Sequence, residues 1–341
     1  MANFFPAQAK VSPSYSDPDM IITYAQASGA FAALPDDAPK VKIGNDDLYV
    51  YVNSLDLRTE TQSAQAAGNF LPSASLVANY YSTPTYLVRT RQQWNRHDTA
   101  AAANYAVSLP TALDLASKQG IFGQMRVALL YGFNPANGEG ILNAPGITAV
   151  SLPADTFGNT SSRTYDAGQM ALFWLTNIVQ LKTGMYQSGA NITNKIKVIS
   201  PQRIFLAFAY SNIVQITSFQ RPGAGSATTA DVIARVAGDS GDTFEWFFDD
   251  TLIGKGTGGT DAIILTIPEV EVPDMPGINT NIFATLKPSL KAVNTMYADM
   301  AAPMKIPTPI ADGGLTEVQE LRITSGWTLR PQGVYVISMT Y

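Results

Sequence analysis

Apolar and polar residues alternate along this chain with a period of two in some stretches and of three to four in others, and the changes of period mark its elements. In LYVYVNSLDL, Leu48, Val50 and Val52 alternate with Tyr49, Tyr51 and Asn53, which predicts a strand. A second run at 85–91 places Tyr86, Val88 and Thr90 on one face and Leu87, Arg89 and Arg91 on the other. The small-residue stretch TQSAQAAGNFLPSAS lies between them, so the two runs predict a long hairpin or projecting loop.

Helical spacing takes over at Asp98. This acid is placed to cap the alanine-rich TAAAANYAVSL, at the positive end of its dipole. Pro110 interrupts that piece and suits the first turn of a continuation. There Leu115, Phe122, Met125 and Leu129 recur at helical spacing, and Asp114 with Lys118 forms an i,i+4 pair. Gly120 and Gly123 should weaken or bend it. Together these predict a long, broken helix over 98–131. A turn-rich segment follows, FNPANGEGILNAPGITAV, and then an amphipathic helix over 164–183. Met170, Trp174, Ile178 and Leu181 share its apolar face, Lys182 stands in its last turn and Gly184 is placed to stop it. Buried strands are expected at 196–200 and 262–267, with a short helix near 228–237 between them. The chain ends in two alternating runs, LRITSGWTLR and GVYVISMTY; the second is apolar on both faces and should be covered on both sides. The class is α+β.

Upstream of all this, prolines at 6, 13, 18, 35 and 39 rule out a long helix or a central strand. The stretch also carries the acidic pairs Asp17/Asp19 and Asp36/Asp37. It predicts an extended arm that orders only against another surface, or else a disordered tail.

Composition changes the picture in one respect. The 341 residues are 46% apolar, enough for one large or two modest cores, but only 14% charged, against roughly 25% in an average domain. A surface so poor in charge suggests that other chains cover much of it. The net charge of −5 argues against a dedicated nucleic-acid binder, which needs surplus Lys and Arg to displace counterions. The absence of cysteine excludes disulfides, thiolate zinc sites and cysteine nucleophiles, and a single histidine excludes a multi-histidine metal centre. MANFFPAQAK holds no secretory apolar core, and no stretch approaches ~18 uninterrupted apolar residues, so a protein made in a cytosol and outside membranes is expected.

Charge is also unevenly placed. Residues 61–97 contain no acid but carry Arg89, Arg91 and Arg96. A basic excursion from an acidic chain reads as a docking surface. Arg89, Arg91, Trp94 and Arg96, with the arm's Asp36 and Asp37, are therefore the candidate interface residues. Residues 43–117 contain no lysine, so this hairpin has no ε-amine to donate to a covalent crosslink.

Candidate catalytic chemistry is thin. Gly238-Asp239-Ser240-Gly241 matches the nucleophile loop of trypsin-like hydrolases, and His97 with Asp155 or Asp166 precedes it in the right order. A triad needs the imidazole held between acid and serine beside oxyanion donors. Here Asp242 replaces a further glycine, and the pattern of dense β-hairpins is missing; a loop after the 228–237 helix, with Gly238 as its cap, is the simpler reading. GKGTGG at 254–259 is no phosphate loop, since Lys255 is followed by Gly256 rather than Ser or Thr. Asp249, Asp250 and Asp261 around it are able to gather a hard cation, though carboxylates at a surface turn are ordinarily just solvated. No cofactor is expected.

The order of elements, the octet Gly140-Ile141-Leu142-Asn143-Ala144-Pro145-Gly146-Ile147, and the ending from Trp327 through Arg330-Pro331 into GVYVIS resemble the Hong Kong 97-type major capsid proteins of tailed bacteriophages. The resemblance implies an N-terminal arm over 1–45 and an extended loop over 46–97. It further implies a peripheral domain over 98–195 with a spine helix at 98–131, a mostly axial domain over 196–275, and return segments over 276–341 completing both sheets. The implied function is structural, not enzymatic: hexamers and pentamers closing into an icosahedral shell, touching packaged double-stranded DNA only non-specifically. Crosslinking members use a lysine in the extended loop, so a noncovalent shell is implied here. An arm this short is no fused scaffold, so a separate scaffolding protein and a portal are the further partners implied, and shell stability is expected from noncovalent overlap or from a separate decoration protein. The location implied is the virion, assembled in the bacterial host cytoplasm, with no membrane. The competing readings are an encapsulin-like nanocompartment shell and a trypsin-like serine hydrolase using His97 and Ser240.

Overall fold

The structure, a computed structural model, describes residues 28–36, 41–59, 74–103, 108–185, 195–210, 212–213, 227–239, 241–270 and 292–341. In chain order the strands are β1 (Val41–Lys42), β2 (Tyr49–Thr59), β3 (Ala74–Trp94), β4 (Thr148–Ser151), β5 (Lys195–Ser200), β6 (Thr243–Phe248), β7 (Asp261–Thr266), β8 (Ala298–Asp299), β9 (Met304–Ile310), β10 (Gly314–Thr324) and β11 (Val334–Met339). The helices are α1 (Arg96–Ala103), α2 (Leu109–Tyr131), α3 (Ala167–Met185), α4 (Gln202–Tyr210) and α5 (Thr229–Asp239), and further two-residue strands form separate antiparallel pairs. The described residues form two compact units. One takes Thr90–Gly120 and Lys305–Gln319; the other takes Ser28–Arg89, Ile121–Met304 and Glu320–Tyr341.

The larger unit is built on a mixed sheet in the order β4-β11-β7-β5-β6, with β11 and β5 flanking β7 antiparallel and β4 and β6 running parallel to their neighbours. Every residue of β7 is buried. Because side chains alternate across a strand, Ile263 and Leu265 enter one core, and Ala262 and Ile264 the other. The first core contains Trp174, Ile178 and Leu181 of α3, with Ile204 and Phe208 of α4 and Ile233 of α5. The second holds Ala128, Leu129 and Leu130 of α2, together with Ile141, Leu321 and Ile323. A sheet covered on both faces needs strands that are apolar throughout, which is why β7 and β11 read as continuous apolar runs.

Helix α3 buries Met170, Trp174, Ile178 and Leu181, the stripe expected from sequence. Trp174 is fully buried and meets Phe208 and Trp246 edge-to-face at 5.7 and 5.2 Å. Each such side chain stabilises the fold by roughly 1.5–3 kcal/mol of transfer free energy. Asp166 accepts from the Gln169 N–H at 2.8 Å and so caps the helix start. Gly184 does not end the helix, which runs to Met185. Gly238 likewise lies inside α5, which runs to Asp239.

The helix expected over 98–131 is two helices, α1 and α2, separated by residues 104–107 outside the described set. The cap of α1 is Asn95 rather than Asp98. Asn95 Oδ1 accepts from the Asp98 N–H at 2.9 Å, and Asp98 Oδ2 accepts from the Asn95 N–H at 3.2 Å, a reciprocal capping box. Helix α2 passes Gly120 and Gly123 without a break. Its buried positions are Ser117, Ile121, Ala128, Leu129 and Leu130, while Leu115 and Phe122 of the expected stripe are exposed.

The octet after α2 has a clear local task. A helix leaves its last carbonyls without intrahelical donors. Here the Ile141 and Leu142 N–H groups donate to Leu129 O and Leu130 O, both at 3.0 Å, and Asn143 Nδ2 donates to Tyr131 O at 2.8 Å. The turn-back requires Gly140 at φ +89°, where a Cβ would meet the Tyr131 carbonyl carbon at 2.4 Å. The motif is a backbone clasp on the end of the long helix.

Residues 28–36, within the stretch expected to be an extended arm, pack on the larger unit. Ala30, Ala33 and Leu34 are buried, the Gly29 N–H donates to Phe248 O at 2.8 Å, and Ser28 Oγ donates to Asp249 Oδ2 at 2.6 Å. Residues 1–27 and 37–40 lie outside the described set.

Candidate assembly surface

The hairpin of β2 and β3 pairs from Tyr49↔Pro84 to Thr59↔Ala74, so β3 begins at Ala74 rather than at the predicted 85. Directly opposed residues share a face. One face carries Val50 and Thr83, both buried, over a small core with Ile43 and Ala298. The other carries Tyr49, Tyr51 and Tyr80, which are 56%, 67% and 73% exposed, with Leu48 exposed just before them. The Tyr49 and Tyr51 rings lie 6.4 Å apart. Three phenol rings on one sheet face, turned to solvent in the single chain, form an apolar surface rimmed by hydroxyls. Sequence alternation had already set Tyr49 and Tyr51 opposite the Val50 side. It carried no sign of Tyr80, which precedes the predicted second run.

The base of the hairpin is fastened. Thr85 Oγ1 donates to Asp47 O at 2.5 Å, and Arg322 Nη1 donates to Thr85 Oγ1 at 3.0 Å. Tyr86 donates to Glu139 Oε1 at 2.6 Å, while Glu139 Oε2 accepts from Ser325 Oγ at 2.7 Å and from the Asn134 N–H at 3.0 Å. Burial, reinforced by the Glu139 carboxylate, pushes the Tyr86 phenol up to about 12. The Tyr86 ring also stacks on Phe133 at 4.5 Å. Glu139 thus ties strand β3 to the turn that clasps α2. It lies in the GEG turn quoted from the sequence, but nothing in spacing announced that role.

The residues expected at an interface have different fates. Arg89 Nε pairs with Glu320 at 2.8 Å. Asp36 is held by the ammonium groups of Lys195 and, at 2.7 Å, Lys197, which draw its carboxyl down to about 2. Both charges are therefore met within the chain. In the smaller unit Arg91 touches only Gln93, at 3.2 Å, and Arg96 opens α1; no acid pairs with either among the described residues. Arg91 and Arg96 are exposed and Trp94 is half-buried. Asp37 lies outside the described set. The same unit is braced by Asp114, which takes Lys118 at 2.8 Å, Lys305, and Gln319 Nε2 at 2.6 Å; those ammonium groups hold it well below the usual carboxylate range.

The acids proposed for a triad do other work. Asp155 accepts from the Phe157, Asn159 and Asp166 N–H groups, and Asp166 caps α3. Ser240 lies outside the described residues, and His97 sits in the first turn of α1. The three carboxylates near GKGTGG are separately engaged. Asp261 takes Arg203 through two bonds of 2.6 and 2.7 Å, Asp249 caps the turn at Thr251, and Asp250 accepts from the Gln202 N–H. Among the described residues no group of three His, Cys, Asp or Glu side chains is placed to hold a metal, and no helix is long and apolar enough to cross a membrane.

No protein-family model matches the sequence, and no curated protein matches it in sequence. Solved structures match it in fold. The capsid of Myoviridae phage XM1 aligns over 96% of this chain and 97% of its own, with a TM-score of 0.61 and 11% identity. The capsid of an empty GTA particle aligns over 97% and 96%, with a TM-score of 0.56 and 11% identity. Microbacterium phage Oxtober96 aligns over 95% of both chains, with a TM-score of 0.57 and 9% identity. At such identities the likeness is one of fold, and it extends along nearly the whole chain: this is the α+β architecture of phage capsid proteins, the Hong Kong 97-like fold that the sequence resembles.

Proposed function

We propose that this chain is a major capsid protein, assembling into the hexamers and pentamers of an icosahedral shell that encloses phage double-stranded DNA. The observation that carries the proposal is the match of fold with the phage XM1 capsid over 96% of this chain. The role is structural rather than enzymatic. The exposed tyrosine face of the hairpin supports it, because a surface of this kind gains its stabilisation by burial against another subunit. The segments 1–45, 46–97, 98–195, 196–275 and 276–341 would then act as arm, extended loop, peripheral domain, axial domain and returning strands. Arg91, Trp94 and Arg96 are the sequence-predicted residues best placed to meet a neighbour; Arg89 and Asp36 would first have to leave Glu320 and the lysine pair.

The lysine-free stretch 43–117 favours a noncovalent shell. A separate scaffolding protein and a portal are the partners this reading calls for, with shell stability supplied by noncovalent overlap or by a decoration protein, assembly in the bacterial cytoplasm and residence in the virion. The net charge of −5 fits a wall that holds DNA without sequence preference and without adhering to it.

Negative-stain microscopy of the purified chain, alone and coexpressed with the neighbouring genes, tests the proposal. Closed particles that contain DNA, and that run as single chains on denaturing gels, are the expected result. Only monomers or trimers under every condition would overturn the shell. Particles filled with a protein cargo would replace the phage reading with a nanocompartment, and a ladder of covalent multimers would refute noncovalent assembly.

A further inference from the structure

The larger unit contains a cavity of about 400 Å³ that none of the preceding features uses. Its apolar wall is formed by Phe31, Leu34 and Phe247. Its polar wall holds Asp36, Lys197, Glu245, Tyr297 and Asp299. Asp36 and Lys197 neutralise each other at 2.7 Å. The carboxylates of Glu245 and Asp299 make no hydrogen bond or close ion pair among the described residues; Lys42, the strand partner of Asp299, and Lys195 are the cations whose charge reaches them. Tyr297 is 2% exposed, and its hydroxyl has no hydrogen-bond partner among the described residues. Tyr297 and Asp299 are two residues apart on an extended segment, so they face the same side, and the Tyr297 ring stands edge-on to Phe31 at 6.1 Å.

A buried phenol hydroxyl without a partner is costly, and the half-buried Asp299 carboxylate beside it is partly stripped of water, with Glu245 on the same wall. They are matched by an occupant with positive charge, several N–H donors and an apolar stem. A metal ion fits poorly, because no group of three ligating side chains converges among the described residues. We propose that this cavity binds an organic cation, an alkylammonium or guanidinium group, with Glu245 and Asp299 accepting its hydrogen bonds and Phe31 and Phe247 packing on its stem. That chemistry has two sources, a free polyamine or the arginine-bearing segment 86–97 of a second copy, and the site is defined without reference to shell assembly.

Isothermal titration of the full chain with spermidine, and separately with a peptide of sequence 86–97, tests the site. Asp299→Asn and Glu245→Gln, both isosteric, should each weaken binding about tenfold, as expected for removing one charge-assisted hydrogen bond. Asp46→Asn, at an exposed position outside the lining, should leave it unchanged. Tyr297→Phe removes only the hydroxyl and serves if either other variant folds poorly by circular dichroism. Binding of spermidine assigns the site to a free polyamine; binding of the peptide alone assigns it to a second copy. Absence of binding by both probes, or equal weakening in Asp46→Asn, overturns the proposal.

Discussion

Strand β7 and the β2–β3 hairpin are both rich in large side chains, yet they end in opposite environments. In β7 every residue is buried, half against α3–α5 and half against α2 and its clasp. In the hairpin Val50 and Thr83 are buried on one face near its base, and the other face displays Tyr49, Tyr51 and Tyr80. The difference teaches how far burial within one chain goes: the sheet is stabilised by burial already complete, whereas the tyrosine face stays in water and, on the proposed function, would lose it only against a neighbour.

Substitutions break or sharpen that contrast. The largest effect belongs to Trp174→Ala, which empties a fully buried site and should cost about 3–5 kcal/mol in denaturant-induced unfolding. A loss below ~1 kcal/mol would mean that the central core is not what holds the unit together.

Next comes Asp299, on β8 and half-buried, whose carboxyl is pushed up to about 6 chiefly by desolvation, with Lys42 opposing. The charged and titratable groups around it are Lys42, Asp36, Lys197, Glu245 and Tyr297. The folded state holds this proton more tightly than the unfolded one, so stability should fall as pH rises from about 4 to about 6 and level off above. Asp299→Asn should remove that slope and stabilise the chain at neutral pH by ~2 kcal/mol or less, read from unfolding midpoints across pH. An unchanged slope in the variant would show that another group titrates.

The smallest effect on the isolated chain should come from Tyr51→Ser with Tyr80→Ser, within ~0.5 kcal/mol of the parent as exposed positions usually are. The same pair should abolish or strongly reduce closed particles under the microscope. Destabilisation comparable to Trp174→Ala would place the tyrosine face among the elements that fold the single chain, and normal particle yield would remove it from the interface.

Legibility followed the range of the interactions. The α3 stripe was readable because one helix lies on one core, and the β11 run because both its faces are covered. Half of the α2 stripe matches: Met125 and Leu129 meet the core, while Leu115 and Phe122 are exposed, because periodicity cannot say where along a helix the packed line runs, and here it passes through Ile121 and Ala128. The start of β3 was missed because cross-strand hydrogen bonds, not alternation, hold Ala74 onward beside β2. Asn95 was passed over as a cap in favour of its reciprocal partner Asp98.

The sequence by itself determined the class, α3 and α5, the strands β5, β7 and β11, and the hairpin, since these depend on periodicity and capping residues within a few turns of chain; α4, β4, β6 and β9 and the clasping role of the octet were not legible there. Only the tertiary structure decided what those pieces do. It joined Asp36 to Lys195 and Lys197, set Glu139 under Tyr86, turned Tyr80 to the same open face as Tyr51, and brought Glu245 and Asp299 to one cavity. Such pairings link residues far apart in sequence, and their energies arise from burial and desolvation that no local pattern encodes.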